Sequence, residues 1–261
     1  MRLGKSLLLA CVLALAPHAA HAWPASLMQR LERDARRLLP PTVNRLLGER
    51  EDRIFEEARR FPPALAVALA RDLSAGSLSR DTLARIEAQV SGFSDLMRER
   101  RVGQALVLLG ATFRVPADLA DPVLSAGPAG YPPGVANEYY AFVERNLGKI
   151  PVVLEDRAAL QLDKESLPAY WQSVLDRSRT QSQVIPTELF QRGRLVDQRT
   201  LDFRNPAFGV ASLSYSRAVN AIAATWLALW RHANGDTTRM PVPRAVLPES
   251  ERAPFQPPPK G

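Results

Sequence analysis

Imidazoles and thiols do much of the proton and metal chemistry in enzymes, and this chain is short of both. It has three histidines, His18, His21 and His232, and one cysteine, Cys11, in 261 residues. His18, His21 and Cys11 fall within an N-terminal leader, so removal of that leader leaves one imidazole and no thiol. No Ser-His-Asp triad and no cysteine nucleophile can then be assembled. The G-x-S-x-G, Walker A and G-x-G-x-x-G patterns are missing. The 27 Asp and Glu residues show no spacing that singles out a pair for glycoside chemistry. The stretch that stands out is Val102–Asp118, VGQALVLLGATFRVPAD. Gly103, Val107 and Ala111 follow at four-residue steps and share one helix face. In a metalloenzyme such a face can carry a His and an Asp, with a second His just past the proline; here it carries apolar side chains. Arg98, Arg100, Arg101 and Arg114 flank the stretch. They suit either an anion such as phosphate or a solvated basic face.

The leader itself reads MRLGKSLLLACVLALAPHAAHA. Arg2 and Lys5 give a basic start, Ser6–Ala16 is apolar but too short to span a bilayer, and Ala20-His21-Ala22 is an A-x-A cleavage site. Residues 1–22 are therefore expected to be a secretory signal peptide, with the mature chain starting at Trp23 and a secreted or periplasmic location. The competing lipoprotein reading, anchored at Cys11, has only a short apolar run before the cysteine. Without Cys11 the mature chain has no disulfide even in an oxidising compartment. Losing Arg2 and Lys5 lowers the net charge of +7 to +5. That excess favours contact with anionic surfaces, but no polar–aromatic alternation marks a nucleic-acid groove.

The elements that would position any site are helical. Leu27, Leu31, Ala35, Leu38 and Leu39 repeat at helical spacing after Pro24, up to Pro40-Pro41. Short helices follow, from Thr42 to Leu47, over Glu51–Arg60 and over Ala64–Leu73. Ser79 is a good N-cap for a long pattern running to Val115, with Gly92 or Gly103 marking a break or a close crossing. That helix is expected to stop at Pro116. Pro116–Gly134 reads as a loop, Val135–Leu147 as a helix, Ile150–Leu154 as an extended loop, and Lys164–Thr180 as a helix. A shorter helix lies around Thr187–Gln191, and Gly193–Pro206 is irregular. Pro206–Ala233 is long, with a broad apolar face suited to the centre of a bundle. Seven prolines from Thr237 onward predict a disordered tail. The expected organisation is a single all-α domain over residues 23–235 and a Pro-rich tail over residues 236–261.

Three features together resemble the zinc-dependent phospholipase C/P1 nuclease family. One is Trp23 at the expected mature N-terminus, where the family uses the Trp amine and carbonyl as metal ligands. Another is Gly103–Ala111 followed by Val115-Pro116-Ala117, similar to the family's Gly-x-Ala-x-His-x-x-x-Asp helix and its Val-Pro-x-His end. The third is Tyr140–Glu144, similar to a His-x-x-x-Glu helix. The resemblance implies a helical bundle with a three-zinc site. It also places the family's metal-binding His at Val107, Ala117 and Tyr140 and its Asp at Ala111, with another Asp near Pro63. Only Trp23 and Glu144 keep ligand identity. Val and Ala supply no ligand, so the expectation is a degenerate site with no metal and no cofactor, although zinc belongs to the family.

Bland roles compete at each position. Glu144 can pair with Arg145 or a lysine, Trp23 can simply pack, and His232 can complement a helix C-terminus. The sequence therefore points to a non-catalytic pseudoenzyme or scaffold that binds an envelope protein, a lipid headgroup or another anion. The rival is an active phosphoric ester hydrolase, a phospholipase or nuclease, with an incomplete or shifted site. A third reading is a plain helical envelope protein.

Overall fold

The structure is a computed structural model that describes residues 23–127, 129–238 and 246–247. The expected signal peptide and most of the expected tail lie outside the described residues. The remainder is mostly helical, as the apolar periodicity requires. Helices α1 (Ala25–Arg36), α2 (Pro41–Gly48), α3 (Glu51–Arg59) and α4 (Pro63–Ala75) come first. Pro41 and Pro63 sit in first turns, where a missing N–H costs no helical bond. α4 ends at Gly76, whose φ of 77° is left-handed. α5 (Arg80–Arg98) starts on Ser79, whose hydroxyl accepts the Thr82 N–H at 3.2 Å.

The long pattern from Ser79 to Val115 is not one helix. It breaks at Glu99–Arg101, where Arg100 takes a φ of 60°, and resumes as α6 (Val102–Ala111). The apolar positions continue through the break because both pieces face the same core, so periodicity alone does not report it. Gly92 instead marks a close crossing, since a Cβ there would lie 3.2 Å from Leu108 of α6. Gly110 lets α6 approach α3 still more closely, since its Cβ would lie 2.4 Å from Ile54. Pro116 does not stop a helix either. It lies in the first turn of α7 (Arg114–Leu119), where a proline is tolerated.

After α8 (Val135–Asn146) come strand β1 (Val152–Val153), α9 (Leu167–Ser182) and α10 (Val184–Leu189). The short helix expected around Thr187–Gln191 lies earlier, as α10, and ends at Leu189. Phe190–Gln191 instead forms β2, which pairs with β3 (Arg194–Leu195) of the segment expected to be irregular, the hairpin turning at Arg192 and Gly193 with φ of 51° and 76°. α11 (Pro206–His232) is capped by the Asn205 side chain, which accepts the Ala207 N–H at 2.8 Å. Every residue of α11 from Ser214 to Trp230 is buried. It packs against α1, α7, α9 and α10 and forms the axis of the all-α architecture. No described helix is long and apolar enough to cross a membrane.

The tail was expected to be without structure, but two of its residues, Val246 and Leu247, form β4. This strand pairs antiparallel with β1, Val152 facing Leu247 and Val153 facing Val246. A strand partner about a hundred residues away leaves no local trace in the sequence, which is why Ile150–Leu154 read as a loop. Removal of residues 239–261 should therefore lower the melting temperature by about 2–4 °C, the shift of a loss near 1 kcal/mol in a domain of this size. An unchanged calorimetric melt would show that the pairing contributes nothing.

Candidate functional site

Trp23 closes one end of a cleft of about 730 Å³. Its ring is buried, and its indole N–H donates to the Ala117 carbonyl at 3.0 Å, which ties the start of the described chain to α7. The ring also packs on Tyr140 of α8, with centroids 6.2 Å apart. The floor of the cleft is apolar, formed by Met28 of α1, Phe55 and Ala58 of α3, and Phe113. Phe55 and Phe113 meet edge to face at 5.3 Å, an arrangement aromatic quadrupoles favour. Pro24, Ala25, Gln29, Asp52, Arg59 and Arg114 complete the lining. Arg59 is exposed and makes no ion pair among the described residues.

The structure gathers several of the positions singled out in the sequence. Trp23, Ala117 and Tyr140 meet directly, and Glu144 joins them through α1, its carboxylate accepting from the Ser26 hydroxyl. That contact replaces the expected pairing of Glu144 with Arg145, whose guanidinium bonds the Leu201 carbonyl instead. Ala111 is buried two residues before Phe113. Val107 is only half-buried. A Cβ at Gly103 would also meet nothing within 4 Å. The face shared by Gly103, Val107 and Ala111 is thus open at its start and sealed at its end.

The structure does not bring the four arginines together. Arg98 pairs with Asp95 at the exposed end of α5, and Arg101 with Glu99 at 2.9 Å on the turn before α6. Arg114 lies beyond the far end of α6, which is roughly 15 Å long at 1.5 Å per residue. There its Nε bonds both oxygens of Asp118, at 3.1 and 2.9 Å, and its guanidinium lies 5.5 Å from the Phe61 ring centroid. His232 is exposed in the last turn of α11, consistent with a charge complement there.

Behind Trp23 lie carboxyls that a loop reading of Pro116–Gly134 did not single out. Asp121 is fully buried; one of its oxygens accepts from the Tyr140 hydroxyl at 2.7 Å and the other from the Val123 N–H at 2.8 Å. Burial pushes its carboxyl up to about 7 against the pull of these hydrogen bonds. Burial likewise pushes Asp118 up to about 6, with Arg114 opposing. On α1, Glu32 is sealed beside Arg36, 2.8 Å away, and burial lifts it to about 8. Asp34 of the same helix accepts from the Tyr215 hydroxyl of α11 at 2.9 Å. For Glu32 and Asp34 the only clue in the sequence was charge inside a helix flanked by apolar repeats, a pattern that also describes a solvated stripe.

The donors do not fit a zinc centre. Val107, Ala111 and Ala117 offer hydrocarbon, the Tyr140 hydroxyl is committed to Asp121, and Glu144 is committed to Ser26. Among the described residues, no three His, Cys, Asp or Glu side chains are placed to hold a metal ion. What the cleft offers is an apolar floor beside guanidinium groups. Compared with known proteins, the chain matches no family model, no curated protein and no solved structure.

Two outcomes follow. Glu32, Asp118 and Asp121 each keep a proton to higher pH when folded than carboxyls near 4 do in an unfolded chain. The folded state then binds more protons between about pH 4 and pH 8, so stability falls as pH rises through that window. The melting temperature should be lower at about pH 8 than at about pH 5.5, and Asp121→Asn should flatten the slope; a rise with pH would mean these carboxyls ionise on folding. In urea denaturation Leu109→Ala should cost about 2–5 kcal/mol and Val107→Ala under about 1 kcal/mol. Equal costs would mean that Val107 is as sealed as Leu109.

Proposed function

We propose that this chain is a secreted or periplasmic binding protein, not a catalyst, and that the Trp23 cleft holds a ligand with an apolar body and an anionic group, such as a lipid headgroup with part of its chain. The observation that carries this reading is the apolar floor of Met28, Phe55 and Phe113 with the guanidinium of Arg59 at its border. Its volume suits a small ligand, since such sites run to about 300–1,000 Å³. An arginine without a carboxylate partner is available for a bidentate bond to phosphate or carboxylate. The resemblance to the phospholipase C/P1 nuclease family touches this cleft at Trp23, while Val107, Ala111, Ala117 and Tyr140, which stand in for the family's ligand residues, lie outside its lining. Those replacements argue against retained hydrolysis, because a metal-activated water needs several nitrogen and oxygen ligands around one ion.

The test is a titration of the purified mature protein with a single-chain phosphate amphiphile below its micelle concentration, followed by tryptophan fluorescence. Binding should saturate and should be indifferent to EDTA. Arg59→Ala should weaken it about tenfold or more, the effect of losing one charge-assisted hydrogen bond of about 1.5–3 kcal/mol. Stoichiometric zinc together with EDTA-sensitive cleavage of a phosphodiester would overturn this reading and favour the hydrolase. Absence of saturable binding would leave the helical envelope protein without a ligand at this cleft.

A further inference from the structure

A second cavity, of about 420 Å³, shares no lining residue with the Trp23 cleft. It lies between α5, the start of α9 and α11. Its floor is hydrocarbon and indole: Ile86 and Val90 of α5, Leu167 and Trp171 of α9, and Leu229 of α11. The Trp171 N–H is already committed, donating to the Thr225 hydroxyl at 3.0 Å. The indole therefore offers the cavity only its carbon surface. The ionised groups of the lining all belong to its rim, two of each sign: Arg80 and Lys164, Glu87 and Glu165. Across the mouth the Lys164 ammonium stands 3.4 Å from the Glu87 carboxylate and links α5 to the turn before α9. A charged ligand would gain from one member of this rim and lose to the other, so the rim discriminates against net charge of either sign.

We propose that this groove is a second ligand site, which takes an uncharged, largely apolar small molecule against Trp171 and the aliphatic floor, under the Lys164–Glu87 clasp. The volume falls within the range of about 300–1,000 Å³ common for small-molecule sites, and the lining has their usual character. The ligand chemistry is distinct from that of the Trp23 cleft, where a guanidinium without a described partner borders the floor. The two sites can therefore be told apart by probe charge and by separate blocking substitutions.

The probe is N-phenyl-1-naphthylamine, neutral at pH 7.5, titrated into the intact mature protein and followed by its fluorescence. Ala84 lines the mouth of the groove from the exposed side of α5, so Ala84→Trp fills the groove without removing core volume. Ala25 is exposed and lines the other cleft, so Ala25→Trp blocks that one. The wild type should bind saturably, Ala84→Trp should weaken binding at least about tenfold at an unchanged melting temperature, and Ala25→Trp should leave it unaltered. Should Ala84→Trp melt early, Ala84→Arg makes the same test. The sulfonated analogue 8-anilino-1-naphthalenesulfonate should bind the groove about tenfold more weakly. Loss in Ala25→Trp alone would put the probe in the Trp23 cleft and overturn the proposal, as would the absence of saturable binding. Equal affinity for the sulfonated probe, sensitive to Ala84→Trp, would overturn the assignment to an uncharged ligand. None of these outcomes depends on binding of a phosphate amphiphile at Arg59.

Discussion

A helix buried on all sides has no water to satisfy its polar side chains, and α11 is such a helix from Ser214 to Trp230. The polar residues in that run reach out to different neighbours, and these bonds set where the neighbours lie. Tyr215 reaches Asp34 of α1 at 2.9 Å, and Arg217 donates to the Gln181 side-chain Oε1 of α9 at 2.9 Å. Thr225 takes the Trp171 N–H. Ser216 donates to the Pro151 carbonyl and accepts from the Val153 N–H, both at 3.0 Å, while Asn220 donates to the Val153 carbonyl at 2.7 Å. β1 is thus held by side chains of α11 as well as by β4, which explains how a two-residue strand persists in an all-α molecule. Near its end, Arg231 bonds the Leu160 and Leu162 carbonyls at 3.0 and 2.5 Å and fixes the chain that leads into α9. Apolar packing supplies most of the driving force, and these bonds select one arrangement of the surrounding helices.

The same constraint explains the charges inside α1. Leu27, Leu31 and Ala35 face the core as their spacing predicts, but Glu32 and Asp34 are sealed too. Glu32 is held by Arg36, which also pairs with Glu51 at 2.7 Å, and Arg33 meets the same Glu51 at 2.6 Å. A buried polar pair of this kind gains little over a hydrocarbon pair of the same shape, yet losing one partner leaves the other buried and unsatisfied. Such a network adds little net stability, but it penalises every packing of α1, α3 and α11 in which a partner is lost.

The helices were legible because apolar spacing and caps are local. Ser79 before Arg80 marks a helix start that the structure keeps. What escaped was non-local or sterically permitted. The break at Arg100 leaves the apolar pattern intact, and Pro116 is harmless in a first turn. The partner of β1 lies about a hundred residues away. For the candidate site, the sequence pointed to Trp23, Ala117, Tyr140 and Glu144, which the fold gathers around α1, α7 and α8. It did not point to Arg59 or Asp121, because an arginine at a helix end and an aspartate beside a proline look like ordinary surface until their neighbours are known. Nor did it separate Arg114 from Arg98, Arg100 and Arg101, because closeness in sequence across a helix is not closeness in space.

The two cavities show where recognition can reside in a molecule with so few chemically active side chains. Their floors are alike, each an aromatic and aliphatic surface, the groove's supplied by α5, α9 and α11 and the cleft's by α1, α3 and the turn before α7. Dispersion and desolvation on such floors favour any apolar body of the right size and distinguish poorly among them. Discrimination must then come from the rims. At the groove, Lys164 is paired with Glu87 and the rim carries two charges of each sign, so a charged ligand meets like charge as well as opposite charge. At the Trp23 cleft, Arg114 is bound to Asp118, but Arg59 has no carboxylate partner among the described residues, and Asp52 lies one residue into α3 where Arg59 is its last. Seven residues of helix separate those two charges by roughly 10 Å, too far to neutralise each other by contact. A cleft built this way presents a guanidinium whose hydrogen-bonding capacity is unspent, and an anion that meets it exchanges water for a charge-assisted bond without breaking an ion pair of the protein.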